Sequence, residues 1–148
     1  MKRILSCMIA ILSGIILFAQ NDLADNILGE YSGRTGQFHF HARISRSADG
    51  TYRADVIHVD NLVQRDGSIL RDIKNPDPKL RDTPADRIII FTGLQYDPEK
   101  QHWGGTKIYD PRRGIKAPFE AWFSSPDKLN IKGSLFGISK TVYWTRLK

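Results

Sequence analysis

Apolar and polar residues alternate along much of the chain, and this alternation predicts short β-strands rather than helices. It is clearest in one segment, where histidine or arginine residues separate the apolar residues Phe38, Phe40, Ala42 and Ile44. Successive side chains of a strand point to opposite faces. We therefore expect these four apolar side chains on a core face and the residues between them in solvent.

Seven further segments alternate in the same way or are continuously apolar, and turn signals separate them. Asp49-Gly50 and Asp66-Gly67 have the composition of tight turns, and Asp97-Pro98 and Asp110-Pro111 are typical of chain reversals between strands. Residues 87–94 are apolar on both faces, which predicts a strand covered on both sides. The other predicted strands cover residues 27–34 (broken near Gly33 and Gly36), 51–59, 102–109, 117–123, 129–133 and 141–147.

About eight short strands joined by tight turns predict an all-β domain, either a sandwich or a barrel. Consecutive hairpins favour a single small antiparallel up-and-down barrel, because closure also leaves no exposed sheet edge. Residues 22–28 can form one short helix before the first strand.

The first 20 residues have the three-part layout of a secretory signal peptide. Lys2 and Arg3 give a positive start, residues 4–18 are largely apolar, and the small Ala19 suits the position before a cleavage site. The apolar run is shorter than the about 20 residues of a membrane-spanning helix. We therefore expect cleavage just before or just after Gln20, export to the periplasm or the medium, and one mature domain over residues 21–148 that meets a membrane only through the cleaved segment.

Cleavage would remove Cys7, the single cysteine, so the mature domain would have no disulfide and no thiolate for catalysis or metal binding. It would also remove Lys2 and Arg3, leaving 20 of the 22 basic residues against 16 acidic ones. These charges are mixed along the chain, without the basic stripe and interleaved aromatic residues of nucleic-acid-binding proteins. We therefore expect a solvated charged surface and no nucleic-acid partner.

The longest connection between predicted strands, residues 61–84, contains Asn75-Pro76-Asp77-Pro78 followed by Leu80-Arg81. Two prolines without N–H donors cannot pair in a central strand, and connections of this length are often functional. Two later blocks consist of Trp103, Gly105, Ile108, Tyr109, Asp110, Pro111 and Gly114, and of Gly137, Ser139, Thr141, Trp144 and Arg146. Together these motifs resemble a bacterial family known as domain of unknown function 2147. The resemblance implies an exported domain with a lipocalin-like barrel, and it implies no activity.

The candidates for ligand or partner binding are Asn75, Asp77, Arg81, Trp103, Tyr109, Asp110 and Arg146. Asn75, Asp77 and Arg81 have a structural alternative, in which they fix the shape of the loop. Asn and Asp before proline form local turns, and Arg81 can pair with Asp77 or Asp110. Tyr109 and Arg146 are the polar groups expected at the mouth of a ligand cavity. The resemblance to lipocalin-like barrels also implies a structural alternative for Arg146, stacked across Tyr31 to close one end of the barrel.

Two histidines, His39 and His41, share a strand face and could bind zinc or copper with His58 or His102 as a third ligand. Because the core face of their strand is the opposite one, we expect both histidines in solvent and no metal or other cofactor. Glu120 is expected outside the barrel for the same reason, since the more apolar face of its strand carries Phe119, Ala121 and Phe123.

Three functions remain open from the sequence. An eight-stranded barrel can hold one small apolar or amphipathic ligand, or it can be filled by its own side chains and bind an envelope protein through residues 75–81 and 110–114. An enzyme has the least support, because the Gly-Ser-Leu-Phe-Gly run at 133–137 lacks the Gly-x-Ser-x-Gly nucleophile pattern. The aromatic residues able to line or fill the barrel are Phe38, Phe40, Phe91, Trp103, Tyr109, Phe119, Trp122 and Trp144.

Overall fold

The structure, a computed structural model, describes residues 23–148, so the predicted signal peptide and its cleavage site lie outside the described residues. A helical turn at residues 23–25 precedes eight strands. The strands are β1 (Gly29–Thr35), β2 (Phe38–Arg46), β3 (Tyr52–Val59), β4 (Ile89–Asp97), β5 (His102–Asp110), β6 (Ile115–Ser125), β7 (Lys128–Leu135) and β8 (Ile138–Arg146).

The eight strands form a closed antiparallel barrel in which each strand pairs with the next along the chain. The barrel closes where β1 meets β8, with Tyr31 opposite Arg146 and Ser32 opposite Thr145. This pairing removes the free edges that an open meander of the same length would expose. The predicted all-β, up-and-down barrel is confirmed, and so is the short helical segment before the first strand.

Side-chain alternation directs apolar residues into the barrel. The inward residues of β6 and β7 include Phe119, Ala121, Leu129 and Ile131, all of which are buried. Glu120 points outward, and its carboxylate lies 3.2 Å from Nδ1 of His102 on β5. The predicted outward orientation of Glu120 is confirmed.

β4 departs from the prediction that both of its faces are covered. Ile90 and Phe91 are buried, whereas Ile89 is half exposed. The register with β3 shifts here, because Ala54 lies opposite Phe91 while the next residue, Asp55, lies opposite Ile89. Such a β-bulge turns two consecutive side chains toward the core. The continuous apolar run therefore reflects a bulge, and the prediction of a strand buried on both sides is wrong.

β1 continues through Gly33, where the sequence predicts a break. The Phe40 ring of β2 lies directly over Gly33, and a Cβ there would collide with Phe40 and with Trp144. Glycine is therefore required for the close approach of aromatic rings to the backbone, and not for a turn. Gly36 makes the turn into β2 instead, with a φ of 61°.

One end of the barrel, which we call the packed end, has a dense core. Its largest fully buried side chains are Tyr31, Ile27, Leu94 and Leu129. The helical turn covers this end, because the Trp103 indole Nε1 donates to the carbonyl of Ala24 at 3.0 Å. The β2–β3, β4–β5 and β6–β7 turns lie at the same end, as follows from the alternating strand directions.

Arg146 fastens the helical turn to the packed end. Its guanidinium donates to the carbonyls of Leu28 (2.8 Å), Asn26 (2.5 Å) and Pro126 (3.3 Å). The guanidinium also lies over the Tyr31 ring, 5.1 Å from its centroid, which is the geometry of a cation–π contact. The predicted stacking of Arg146 across Tyr31 is confirmed.

The connection between β3 and β4, residues 60–88, arches over the opposite end of the barrel. It contains two 3₁₀ turns, Pro78–Leu80 and Ala85–Arg87, and short antiparallel bridges from Val63 to Ile69 and from Arg71 to Pro84. Within residues 23–148, no helix is both long and apolar enough to cross a membrane.

Candidate ligand-binding cavity

The end of the barrel beneath the long connection is hollow. A cavity of about 930 Å³ opens there between the β1–β2, β5–β6 and β7–β8 turns and the connection. Cavities that hold small organic ligands have volumes of roughly 300–1,000 Å³. Its apolar lining includes Phe40, Val56, Val59, Ile88, Ile90, Ile131, Val142 and Trp144. The alternative of a barrel filled entirely by its own side chains therefore does not describe this end.

Aromatic rings form the floor of the cavity and separate it from the packed end. The Trp144 indole lies edge-on to Phe40, with ring centroids 5.6 Å apart. Behind it, Phe91 stacks on Trp144 at 6.5 Å and contacts Phe119 at 5.1 Å. Phe40 and Trp144 line the cavity, whereas Phe91 and Phe119 belong to the core beneath it.

Four of the eight aromatic residues predicted to line or fill the barrel face the cavity: Phe38, Phe40, Tyr109 and Trp144. Three others are buried core residues: Phe91, Trp103 and Phe119. Trp122 lies outside the barrel, stacked on the His102 ring with centroids 5.1 Å apart. It points outward because it alternates along β6 with the inward Ala121.

A buried hydrogen-bond cluster ties the long connection to the barrel wall at the mouth. Asp72 is only 3% exposed, and its carboxylate accepts from the Tyr109 hydroxyl (2.6 Å) and from the Asn75 amide (2.7 Å). Burial, then the hydrogen bond to Asp72 and the charge of that carboxylate, raise the pKa of Tyr109 well above its usual value. Tyr109 therefore remains a neutral hydrogen-bond donor that holds the connection in place.

Asp72 has no distinguishing signal in the sequence. It stands in a polar stretch that also contains Asp66, Asp77 and Asp82, and neither composition nor spacing sets it apart from them. Its partner Tyr109 is 37 residues further along the chain. Only the folded connection shows that this aspartate is the buried one.

The predicted site residues Asn75, Asp77 and Arg81 act within the connection and do not line the cavity. The Asn75 side chain accepts from the Asp77 backbone N–H at 2.9 Å, and the Asp77 carboxylate caps the 3₁₀ turn Pro78–Leu80. Arg81 Nε donates to the carbonyl of Asn75 at 2.9 Å. The predicted pairing of Arg81 with Asp77 or Asp110 is wrong, because the backbone of the loop supplies the acceptor.

The remaining predicted site residues divide between the two ends of the barrel. Tyr109 and Asp110 line the cavity, whereas Trp103 and Arg146 lie at the packed end. Arg146 is therefore not at the mouth, where the ligand-binding interpretation places it. β8 runs from the end with the cavity, which we call the open end, to the packed end, and Arg146 is its last residue.

Basic side chains surround the mouth of the cavity. The cavity lining contains one acidic residue, Asp110, and six basic ones: Arg34, Arg71, Lys74, Arg112, Arg113 and Lys140. The whole chain has 22 basic and 16 acidic residues, so the excess of positive charge is concentrated here. Basic residues that are far apart in the sequence lie close together here, because the turns and the connection that carry them share one end of the barrel. The expectation of an unclustered charged surface is wrong in this region.

The histidines considered as metal ligands lie on the outer face, as predicted. His41 and His58 face each other across β2 and β3 with ring centroids 5.1 Å apart, and the His39 ring accepts a hydrogen bond from Arg34 Nε at 2.9 Å. Among the residues from 23 onward, no three His, Cys, Asp or Glu side chains are grouped so that they could hold a metal ion.

Residues 29–146 match the sequence profile of a family described as "Uncharacterized protein conserved in bacteria (DUF2147)". The chain belongs to this family. The matched range contains all eight strands, so the DUF2147 domain and the barrel coincide. The resemblance predicted from residues 75–81 and the two later blocks is confirmed. No curated protein matches the chain.

A solved structure similar to this DUF2147 barrel is described as "Protein HP1028 from the human pathogen Helicobacter pylori belongs to the lipocalin family". The two chains are 24% identical and superpose with a TM-score of 0.64, over 82% of this chain and 83% of the other. At this level of identity the likeness shows the fold alone. The DUF2147 barrel is therefore lipocalin-like.

Proposed function

We propose that this DUF2147 protein binds one small apolar or amphipathic molecule inside its barrel. The observation that carries the proposal is the cavity of about 930 Å³, which is apolar inside and open at one end. Transfer of apolar ligand surface from water into such a cavity contributes about 25 cal/mol for each Å² buried. The lipocalin-like fold is consistent with this role.

The packing around the cavity supports binding without large rearrangement. Trp144 and Phe40 hold each other in an edge-to-face contact at the floor, and Tyr109 and Asp72 hold the connection at the mouth. A cavity whose walls are already ordered loses little conformational entropy when a ligand enters. We therefore expect a preformed site rather than one that assembles around the ligand.

We further propose that the protein is exported and that residues 1–20 are removed as a signal peptide, on the support of their charge and hydropathy layout. Native mass spectrometry of the protein purified from the envelope fraction of its own host tests export and ligand binding together. We expect the mass of a chain that begins at Gln20 or Asn21, plus an additional mass that disappears on denaturation. A full-length mass would contradict cleavage, and a bare mass would contradict a tightly held ligand.

A bulky side chain introduced into the cavity should weaken ligand binding. Gly133 is an inward residue of β7 that lines the cavity, and a Cβ at Gly133 would meet no atom within 4 Å. The side chain introduced by Gly133→Phe would therefore occupy the space of the ligand. We expect the dissociation constant of the neutral fluorescent probe N-phenyl-1-naphthylamine to rise about tenfold or more in a fluorescence titration.

Lys132→Phe is the matched control for Gly133→Phe. Lys132 precedes Gly133 on β7 and points to the outer face. In the strand register it lies opposite Glu120 of β6 and Thr141 of β8. This variant adds the same ring without entering the cavity, so its probe affinity should equal that of the unchanged protein. Equal affinity in a folded Gly133→Phe protein would contradict binding inside the barrel.

A second candidate function, docking of an envelope protein, is favoured by the exposed apolar side chains at the mouth. Phe136 is 94% exposed, Ile138 74% and Ile73 70%, and all three border the cavity. Exposed apolar patches of this kind often mark interaction sites. A bare mass in the native spectrum, together with no binding of the probe, would favour this candidate over the ligand-binding barrel.

A further inference from the structure

Arg112 places an unpartnered donor at the mouth of the apolar cavity. It lies in the β5–β6 turn and lines the cavity, and its backbone N–H donates to the Asp110 carboxylate at 3.0 Å. In the part of the chain that the structure describes, Arg112 Nε is the buried side-chain nitrogen or oxygen that has no hydrogen-bond partner. A buried polar atom without a hydrogen-bond partner is unfavourable, and such atoms require an explanation.

The neighbouring turns hold the Arg112 side chain in position. Its guanidinium lies against Gly36 of the β1–β2 turn, where a Cβ would overlap Nη1 of Arg112. Lys74 of the long connection crosses the β5–β6 turn at Gly114, because the Lys74 carbonyl leaves no room for a Cβ at that glycine. Two cations from separate segments are thus brought to the same mouth by close backbone contacts.

The other arginines of the mouth have acceptors of their own. Arg34 Nε donates to the His39 ring at 2.9 Å, and Arg71 Nη1 donates to the carbonyl of Asp82 at 2.5 Å. Arg113 Nε lies 3.8 Å from the Asp110 carboxylate. Among the four arginines that border the cavity, Arg112 is the one whose Nε has no acceptor among the described residues.

Building on the proposed function, we infer that the ligand is an anionic amphiphile with its aliphatic part in the cavity and one carboxylate or phosphate at Arg112. A planar guanidinium donates to these anions through parallel hydrogen bonds, and such charge-assisted bonds are stronger than neutral ones. The buried Asp72 and the cavity-lining Asp110 do not oppose the anion strongly, because each carboxylate already accepts hydrogen bonds. Asp72 accepts from Tyr109, and Asp110 accepts from the Arg112 backbone and lies beside Arg113.

The test compares four amphiphiles that share a twelve-carbon chain: dodecanoate, dodecyl phosphate, 1-dodecanol and dodecyltrimethylammonium. Each is titrated against the protein loaded with neutral N-phenyl-1-naphthylamine. We expect at least one anion to displace the probe at a concentration about tenfold lower than dodecanol, and the cation to be the weakest competitor. The stronger anion identifies the head group as carboxylate or phosphate. Added NaCl should reduce the preference, because it screens the exposed side of the mouth.

Variants of Arg112 assign the preference to this residue. Arg112→Gln should bring the anions to the level of dodecanol, a loss of about tenfold, while the affinities for dodecanol and the probe stay within about twofold. Arg112→Lys keeps the charge without the planar donor pair and should retain part of the preference. Arg43→Gln is the matched control, because Arg43 is remote from the cavity, its side chain is 57% exposed and pairs with Glu30, and this variant should keep the full preference.

The two proposals fail in different ways. Equal displacement by anions and dodecanol in the unchanged protein would overturn the anionic head group and leave the apolar cavity as a binding site. Failure of the neutral probe to bind would overturn the proposed function and the head group with it. If Arg112→Gln does not fold, as judged by circular dichroism, the comparison of the four amphiphiles on the unchanged protein still decides whether the cavity prefers an anionic head group.

Discussion

Two arginines, Arg146 and Arg112, stand at opposite ends of the barrel and differ in how their charge is satisfied. Arg146 donates to three backbone carbonyls and lies over the rings of Tyr31 and Phe123, at 5.1 and 5.0 Å from their centroids. Arg112 has a buried Nε without an acceptor among the described residues. Arginine therefore has a structural role at the packed end, in Arg146, and the proposed ligand-binding role at the open end, in Arg112.

Arg146→Lys should destabilise the packed end. A lysine ammonium cannot donate to three carbonyls and stack on two rings in the way a guanidinium does, so the free energy of unfolding should fall by about 2 kcal/mol. Urea denaturation at neutral pH measures the change, and the probe affinity should be unaffected because Arg146 is remote from the cavity.

The control for Arg146→Lys is Arg43→Lys. Arg43 pairs with Glu30 on the surface, at 2.9 Å, and exposed pairs contribute little, so the change should stay below about 0.5 kcal/mol. Equal stability of the two variants would show that the contacts of Arg146 do not hold the packed end together.

At the scale of elements, the connection over residues 60–88 has little core of its own and depends on contacts with its surroundings. Its two limbs are joined by backbone hydrogen bonds, from Ala85 to Leu70 (2.8 Å) and from Asp72 to Thr83 (2.9 Å). The Tyr109 hydroxyl then fastens this pair of limbs to β5 through Asp72. This hydrogen bond to a buried carboxylate thus links the paired limbs of the connection to the barrel wall.

Tyr109→Phe should loosen the connection while leaving the barrel folded. The ring is kept, but buried Asp72 loses one of its donors, at a cost of about 1–3 kcal/mol that favours local opening. Cleavage by trypsin within residues 74–82 should become about fivefold faster or more, followed by limited proteolysis with mass spectrometry. Tyr143→Phe alters a tyrosine that is 57% exposed and should leave the rate unchanged. Equal rates in the two variants would contradict the role of the Tyr109 hydroxyl.

At the scale of the whole molecule, the barrel combines a packed half with a hollow half. The hollow half lacks the internal contacts that a filled core provides, so the stability of the barrel depends on the packed end. Tyr31 is fully buried there, and its hydroxyl donates to the carbonyl of Ile27 at 2.8 Å. Burial raises the pKa of Tyr31 to about 12, and the nearby charge of Arg146 offsets part of that rise.

The barrel should therefore lose stability when the pH rises above the ordinary tyrosine pKa of 10.0. Between that value and about 12 an unfolded Tyr31 is ionised while the folded one stays neutral, so unfolding releases a proton and the free energy of unfolding falls with pH. The raised pKa values of Tyr52, Tyr96 and Tyr109 act in the same direction. Below this window the four tyrosines contribute no pH dependence.

Urea denaturation at pH values from about 8 to about 12 measures this dependence. Tyr31→Phe removes one of the four groups and should reduce the steepness of the loss above pH 10.0, the ordinary pKa of tyrosine. A variant with the same steepness as the unchanged protein would show that Tyr31 does not titrate as its burial implies.

The eight strands, most of their inward faces and the family could all be predicted from the sequence. Alternation is a local property, because the backbone of a strand sends neighbouring side chains to opposite faces whatever the rest of the chain does. This is why the outward position of Glu120 was predictable, whereas the stacking of Arg146 on Tyr31 followed from the resemblance to lipocalin-like barrels. The bulge at Ile90 was not predictable, because it depends on the register with β3 and not on the composition of β4.

Only the tertiary structure decided that one end is hollow, that Trp122 lies outside, and that the mouth is basic. The same aromatic residues can line a cavity or fill it, since the outcome depends on how the closed barrel divides its interior volume. Likewise, charges that are dispersed in sequence become a cluster only when alternate turns share one end. By itself, the sequence determined what each strand presents to its two faces. Closure of the barrel decided which of those side chains meet, because that depends on contacts between residues as far apart as Asp72 and Tyr109.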